Sequence, residues 1–173
     1  MSCYNVYYTD MTEFEPKVGG LAMRENNLST PASYDARIDQ SLKSRMILPD
    51  LIDGLVCALA EQGETELSLR DRRFYSALQS LQPVIDDEAK KAGFRVSFFI
   101  LLDPVHGTSR DIDRAIQMAT QTDVVSLDNP TFAVARFKVD KHSAVAGYRN
   151  LPGNPDFYRM LAAKFLEALR KTT

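Results

Sequence analysis

The densest group of side chains able to do chemistry lies in segment 103–111, which reads Asp-Pro-Val-His-Gly-Thr-Ser-Arg-Asp. The imidazole of His106 can act as an acid or a base, with Asp103 to orient it. Backbone N–H groups at a helix start, together with an arginine, suit a phosphate or a carboxylate. A second polar turn follows a predicted neighbouring strand, and ligands bind beyond the carboxyl ends of parallel strands. We therefore predict a ligand site formed by Asp103, His106, Ser109, Arg110 and Asp128.

The acids of this segment also favour two other interpretations. Thr108 and Asp111 resemble a capping box, and Asp111 and Asp113 place negative charge at the helix start, where it repels an anion. A hard cation could instead use Asp103, Asp111 or Asp113, and Asp128. Because their spacing matches no dedicated metal motif, we predict neither a metal nor a cofactor.

The sequence motifs of the common enzyme classes are absent. There is no G-x-x-x-x-G-K-[ST], G-x-G-x-x-G, H-E-x-x-H or G-x-S-x-G. An imidazole mechanism would need His106 or His142, and we expect His142 to be solvated in a charged turn. Cys57 lies in an apolar helix stripe with no activating cation nearby, so we predict a core residue. An enzyme is therefore an alternative and not the first choice.

Two further groups could bind a macromolecule. Arg70, Arg72 and Arg73 form a compact basic cluster, which could bind nucleic acid or an acidic partner; salt bridges to Glu64, Glu66 or Asp71 are the simpler explanation. The formal net charge of −2 offers no overall attraction to nucleic acid or to an anionic membrane. The chain start is rich in tyrosine, a residue with a large contact area and a polar tip. We predict a partner-binding edge formed by Tyr4, Tyr7 and Tyr8.

The first half of the chain is predicted to be mainly helical after an N-terminal strand over residues 1–8. Residues 9–30 lack a clear apolar period and are predicted to form a loop or mobile arm, with a second strand near 18–23 as the alternative. A four-residue apolar period predicts a helix over 31–47, and a second helix follows Pro49. A third runs from Ser68 to Gly93. Pro83 either kinks it or divides it in two.

The second half of the chain has the pattern of a sheet. Apolar residues alternate with Arg95 and Ser97 from Phe94 to Phe98, and the run to Leu102 then becomes apolar on both faces, as in an interior strand. A helical period around 112–119 and a short β-like run at 123–127 then predict a parallel βαβ unit. A strand over 133–139 should pair antiparallel with 123–127. The last helix begins at Asn154 and Pro155.

These elements predict an α+β fold, in which helices pack on one mixed β-sheet of about four strands. The sheet contains the βαβ unit and the C-terminal helix covers it, in a single domain over 1–173. The chain start lacks a basic region and a long apolar run, which favours a cytoplasmic protein. We expect a non-enzymatic protein-binding or regulatory module that binds another protein or itself. The alternatives are a small enzyme that acts on a phosphorylated or carboxylated small molecule at segment 103–111, and nucleic-acid binding through the arginine cluster.

Overall fold

The structure is a computed structural model and describes residues 45–70, 72–127 and 131–171. Within these ranges the helices are α1 (Leu48–Glu61), α2 (Arg72–Ser80), α3 (Gln82–Ala92), α4 (Arg110–Gln121), α5 (Lys141–Gly147) and α6 (Pro155–Lys171), with a 3-10 turn at Tyr148–Asn150. The strands are β1 (Arg45–Met46), β2 (Glu66–Ser68), β3 (Arg95–Val96), β4 (Val125–Ser126) and β5 (Val134–Phe137). The chain is therefore a mixture of helices and short strands, as the α+β prediction requires.

Helix α1 lies at the centre of the described fold. Ten of its fourteen residues are buried, and it packs against α4, α5 and α6. A helix that is apolar nearly all round is stable only when other elements surround it. Its packing with α6 is so close that a Cβ at Gly54 would fall on the Tyr158 ring. Cys57 is buried on this helix, which confirms its prediction as a core residue.

Several predicted helix boundaries are confirmed, but the predicted helix start at Ser68 is wrong, because Ser68 lies in β2 and α2 begins at Arg72. Helices α2 and α3 meet at Leu81, with Pro83 in the first turn of α3, so the predicted interruption divides two helices. Gly93 ends α3 in the left-handed conformation, with φ at 78°. Helix α6 begins where expected, because the Asn154 side chain accepts a hydrogen bond of 2.9 Å from the Phe157 N–H.

The described strands form two small sheets, not the predicted single sheet of about four strands. Strand β1 pairs parallel with β3, with Arg45 opposite Arg95. The second sheet has the order β2-β5-β4, and the predicted antiparallel pairing of β4 with β5 is confirmed. Because β3 and β4 lie in different sheets, the predicted βαβ unit is not formed among the described strands. The C-terminal helix α6 packs chiefly on α1 and α2.

Segment 94–102 is a regular strand only at β3. Strand β1 pairs with the segment only at β3, because β1 ends at Met46 and α1 begins at Leu48. The next backbone contacts of the segment are with side chains. Gln82 Oε1 accepts a hydrogen bond from the Ile100 N–H at 3.0 Å, and Gln79 Nε2 donates to the Ile100 carbonyl at 3.3 Å. The prediction of a helix over 31–47 is wrong at its end, where β1 forms; residues 31–44 lie outside the described ranges.

Candidate functional site

Asp103 closes the loop 103–108 on itself. Its N–H donates to the Thr108 carbonyl at 2.7 Å, and its own carbonyl accepts from the Gly107 N–H at 2.8 Å. Its Oδ1 accepts from the backbone N–H groups of His106, at 2.7 Å, and Val105, at 2.8 Å. These bonds lower the pKa of the Asp103 carboxyl. The carboxylate therefore shapes the loop through backbone groups, and its role in orienting the His106 imidazole stays a prediction.

The other predicted ligand residues surround the same loop in different environments. His106 is exposed, and Arg110 is exposed at the first position of α4. Ser109 is buried and occupies the N-cap position, although its side chain makes no capping hydrogen bond; Thr108 was expected there. Asp128 lies outside the described residues, so its convergence with Asp103 and His106 stays a prediction. In the described part of the chain, no group of three His, Cys, Asp or Glu residues is arranged to hold a metal ion.

The predicted basic cluster contacts this loop. Arg72 on α2 reaches across it, with its guanidinium 3.5 Å from the Val105 carbonyl. Its side chain packs over Gly107, whose φ of +67° suits glycine, and a Cβ there would lie 3.2 Å from Arg72 Cδ. Glu66, expected as a salt-bridge partner of the cluster, instead lies 3.8 Å from Arg136. The two surfaces that the sequence predicts separately, the loop and the cluster, are therefore neighbours.

In the segment that leads into the loop, the alternation that the sequence shows over 94–98 continues through the apolar run, which the sequence interpretation missed. From 94 to 103 the side chains alternate, with even positions buried or half-buried and odd positions exposed. Phe99 and Leu101 are each 72% exposed, and Val105, just beyond, is 71% exposed. Isolated exposed apolar residues are ordinary, but large ones grouped on one short segment indicate a contact surface. The prediction of an interior strand buried on both faces is therefore wrong.

The segment is fixed from behind. Phe98, Ile100 and Leu102 pack in or against the core. The Ser97 N–H donates to the Met46 carbonyl at 3.0 Å, and the Ile100 backbone is held by the two glutamines described above. Because the inward side chains and the backbone hold the segment, the outward side chains are presented in a defined row. We call this row, together with Arg45 of β1, the outer face; it consists of Arg45, Arg95, Ser97, Phe99, Leu101 and Asp103.

One end of the outer face is positively charged. Arg45 and Arg95 lie opposite each other in the parallel pair, an arrangement in which like charges destabilise. Arg45 Nε donates to Ser97 Oγ at 2.6 Å. No carboxylate of the described residues forms an ion pair with either arginine. This end of the outer face would therefore attract a carboxylate brought by a partner.

An open groove borders the outer face beside Phe99. It has a volume of about 330 Å³ and runs between the start of α1 and helix α4. Leu48, Phe98 and Met118 give it apolar walls, while Asp111 and Arg114 provide one charge of each sign. None of the predicted ligand residues at positions 103, 106, 109 and 110 lines it. The groove extends the apolar surface around Phe99.

The predicted partner-binding residues Tyr4, Tyr7 and Tyr8 lie outside the described part of the chain. No family model, curated protein or solved structure matches this chain. No helix in the described ranges is long and apolar enough to cross a membrane.

Proposed function

We propose that this chain is a non-enzymatic, cytoplasmic protein-binding module whose docking surface is the outer face. The observation that carries the proposal is the exposure of Phe99 and Leu101, 72% each, on a segment whose inward side chains are anchored in the core. Covering a side chain of this size contributes about 1.5–3 kcal/mol. Because the segment is already held in place, little conformational entropy is lost when a partner binds.

The charges specify the chemistry of the partner. An apolar centre formed by Phe99 and Leu101 requires apolar side chains opposite it. Arg45 and Arg95, which lie opposite each other and have no carboxylate partner among the described residues, favour one beside that apolar patch. We therefore expect the partner to present an apolar and acidic surface, because complementary charge fixes both orientation and partner choice.

A photo-cross-linking experiment tests the docking surface in the full chain. A benzophenone amino acid replaces Leu101, and the matched control carries it at Lys164, an exposed position on α6. We expect discrete protein adducts from position 101 in native lysate, absent from position 164. We also expect the Phe99→Ser variant to lose them while its circular dichroism spectrum is unchanged. Equal adducts at both positions, or none at 101, would contradict the proposal.

Of the two alternative functions, the one at the loop has a supporting observation. Arg72 over the loop brings a guanidinium to the surface that carries His106 and Arg110, which favours an anionic ligand there. An enzyme at this loop predicts turnover that is lost in the His106→Ala variant. Nucleic-acid binding through the arginine cluster predicts an affinity that falls steeply with salt concentration.

A further inference from the structure

The outer face has a sequence of side chains that can complement itself. Along the segment the exposed residues are Arg95, Ser97, Phe99, Leu101 and Asp103. A positive charge therefore lies four residues before Phe99, and a negative charge lies four residues after it. At about 3.3 Å per extended residue, each charge is roughly 13 Å from the aromatic ring position. When the row faces an antiparallel copy of itself, each positive charge therefore lies opposite a negative charge.

We propose that the partner of the outer face is a second copy of this chain, related by a two-fold axis through Phe99. This inference depends on the proposed docking surface and names its occupant. The two segments run antiparallel with their outer faces in contact, so that Phe99 of each copy meets Phe99 of the other. Ser97 then faces Leu101, and Arg95 faces Asp103, twice by symmetry.

The described part of one chain offers Arg95 no carboxylate, and Asp103 of the second copy supplies one. Asp103 is exposed, and its Oδ1 is fixed by two backbone N–H groups, which leaves Oδ2 to accept from an arginine. Charge-assisted pairs at both ends of the row fix the register, and the apolar centre provides the contact area. A parallel arrangement would place Arg95 against Arg95, and the repulsion between them disfavours it.

The size of the face predicts a weak dimer. Nine extended residues span about 30 Å, and two such faces bury on the order of 1,000 Å² in total, somewhat less than a standard interface. We expect a dissociation constant on the order of 10 μM. The fraction of dimer should therefore rise with protein concentration.

Sedimentation velocity of the full chain from about 1 to 500 μM tests the dimer. The Phe99→Ser variant should be monomeric throughout. Arg95→Glu places two acids opposite each other and should weaken association at least about tenfold. Adding Asp103→Asn, which keeps the loop acceptor but removes the charge, should recover part of that loss. The control Lys164→Glu makes the same charge change on α6 and should dimerise like the unaltered chain.

Cysteine cross-linking tests the register. Positions 97 and 101 face each other across the axis, whereas the same position in the two copies is separated by about 13 Å. In a Cys3→Ser background, a mixture of Ser97→Cys and Leu101→Cys chains should form a disulfide under an added mild oxidant. Neither variant alone should do so at the same rate.

The outcomes separate this inference from the proposed docking surface. A monomer at every concentration, or a dimer indifferent to Phe99→Ser and Arg95→Glu, overturns the second copy as the occupant. If position 101 nevertheless cross-links to a different protein, the docking surface stands with another partner. If the chain is monomeric and position 101 gives no adduct, both proposals fail.

Discussion

Replacing Asp53 by asparagine should stabilise the protein at neutral pH. Asp53 lies half-buried on α1, and its Oδ1 has no hydrogen-bond partner among the described residues. Burial raises the pKa of this carboxyl from 3.8 to about 6; a hydrogen bond from Thr122 offsets part of the effect and the charge of Asp50 adds to it. The protein therefore keeps a carboxylate ionised at neutral pH in a place that favours the neutral acid.

The sign of the effect follows from linkage. The pKa of Asp53 is higher in the folded than in the unfolded chain, so its protonated form contributes stability below about pH 4, and this is lost as the pH rises to about 6. The shift from 3.8 to about 6 corresponds to about 3 kcal/mol at most. Because the side chain is only half-buried, solvent screening reduces this to about 1–2 kcal/mol. An asparagine side chain at this position carries no charge at any pH, and its amide oxygen can still accept from the Thr122 hydroxyl.

The assay is urea unfolding followed by circular dichroism at pH 4, 6 and 7.5. The difference in unfolding free energy between Asp53→Asn and the unaltered chain should be small at pH 4 and reach about 1–2 kcal/mol at pH 7.5. Glu64→Gln, which removes an exposed carboxylate, is the control and should show no such gain. A difference that does not change with pH, or a less stable Asp53→Asn protein at pH 7.5, would refute the reasoning.

Three further substitutions test separate contacts. Gly54→Ala should destabilise the fold by about 1–3 kcal/mol in urea unfolding, although alanine favours a helix, because the new Cβ overlaps the Tyr158 ring; no loss of stability would contradict this packing. Asp103→Ala should speed amide exchange in the loop about tenfold, as measured by NMR, while Asp103→Asn should not. Equal exchange rates in Asp103→Ala and the unaltered chain would show that the carboxylate does not hold the loop. Glu61→Gln should lower the unfolding midpoint at pH 7 and change it little at pH 3. Hydrogen bonds from Arg159 lower the pKa of Glu61, so the stability that they give is present above the unfolded pKa of 4.5 and is lost at lower pH. A change in midpoint that is the same at both pH values would rule this out.

The parts of the fold that the sequence predicts well are set by neighbours along the chain. A proline in the first turn, a glycine with positive φ at the end and an asparagine cap act within four residues, as at Gly93 and Asn154. The apolar period of α1 likewise predicts a helix, although other elements surround it and bury residues outside the predicted stripe as well. Such signals need no knowledge of what packs on the element.

The sheet could not be predicted in the same way, because strand pairing depends on distant residues. Residues 98–102 are all apolar, a pattern that fits an interior strand and a row with one exposed face equally well. Two features decide that the segment has one exposed face. Strand β1 ends at Met46, and Gln79 and Gln82 form hydrogen bonds with the Ile100 backbone. The sequence likewise does not indicate the contact of Arg72 with the loop, because Arg72 lies 33 positions before Val105 in the chain.

The alternation along segment 94–103 separates side chains that stabilise the core from side chains that remain exposed. Ile100 is buried and contributes to the core, while its neighbours Phe99 and Leu101 contribute little to folding because they remain in water. The two sets share one backbone, so the core fixes the positions of the exposed side chains without covering them. An apolar row of this kind exposes the folded chain to non-specific association, a cost that a specific partner removes. That cost is the physical reason to assign the row a binding role.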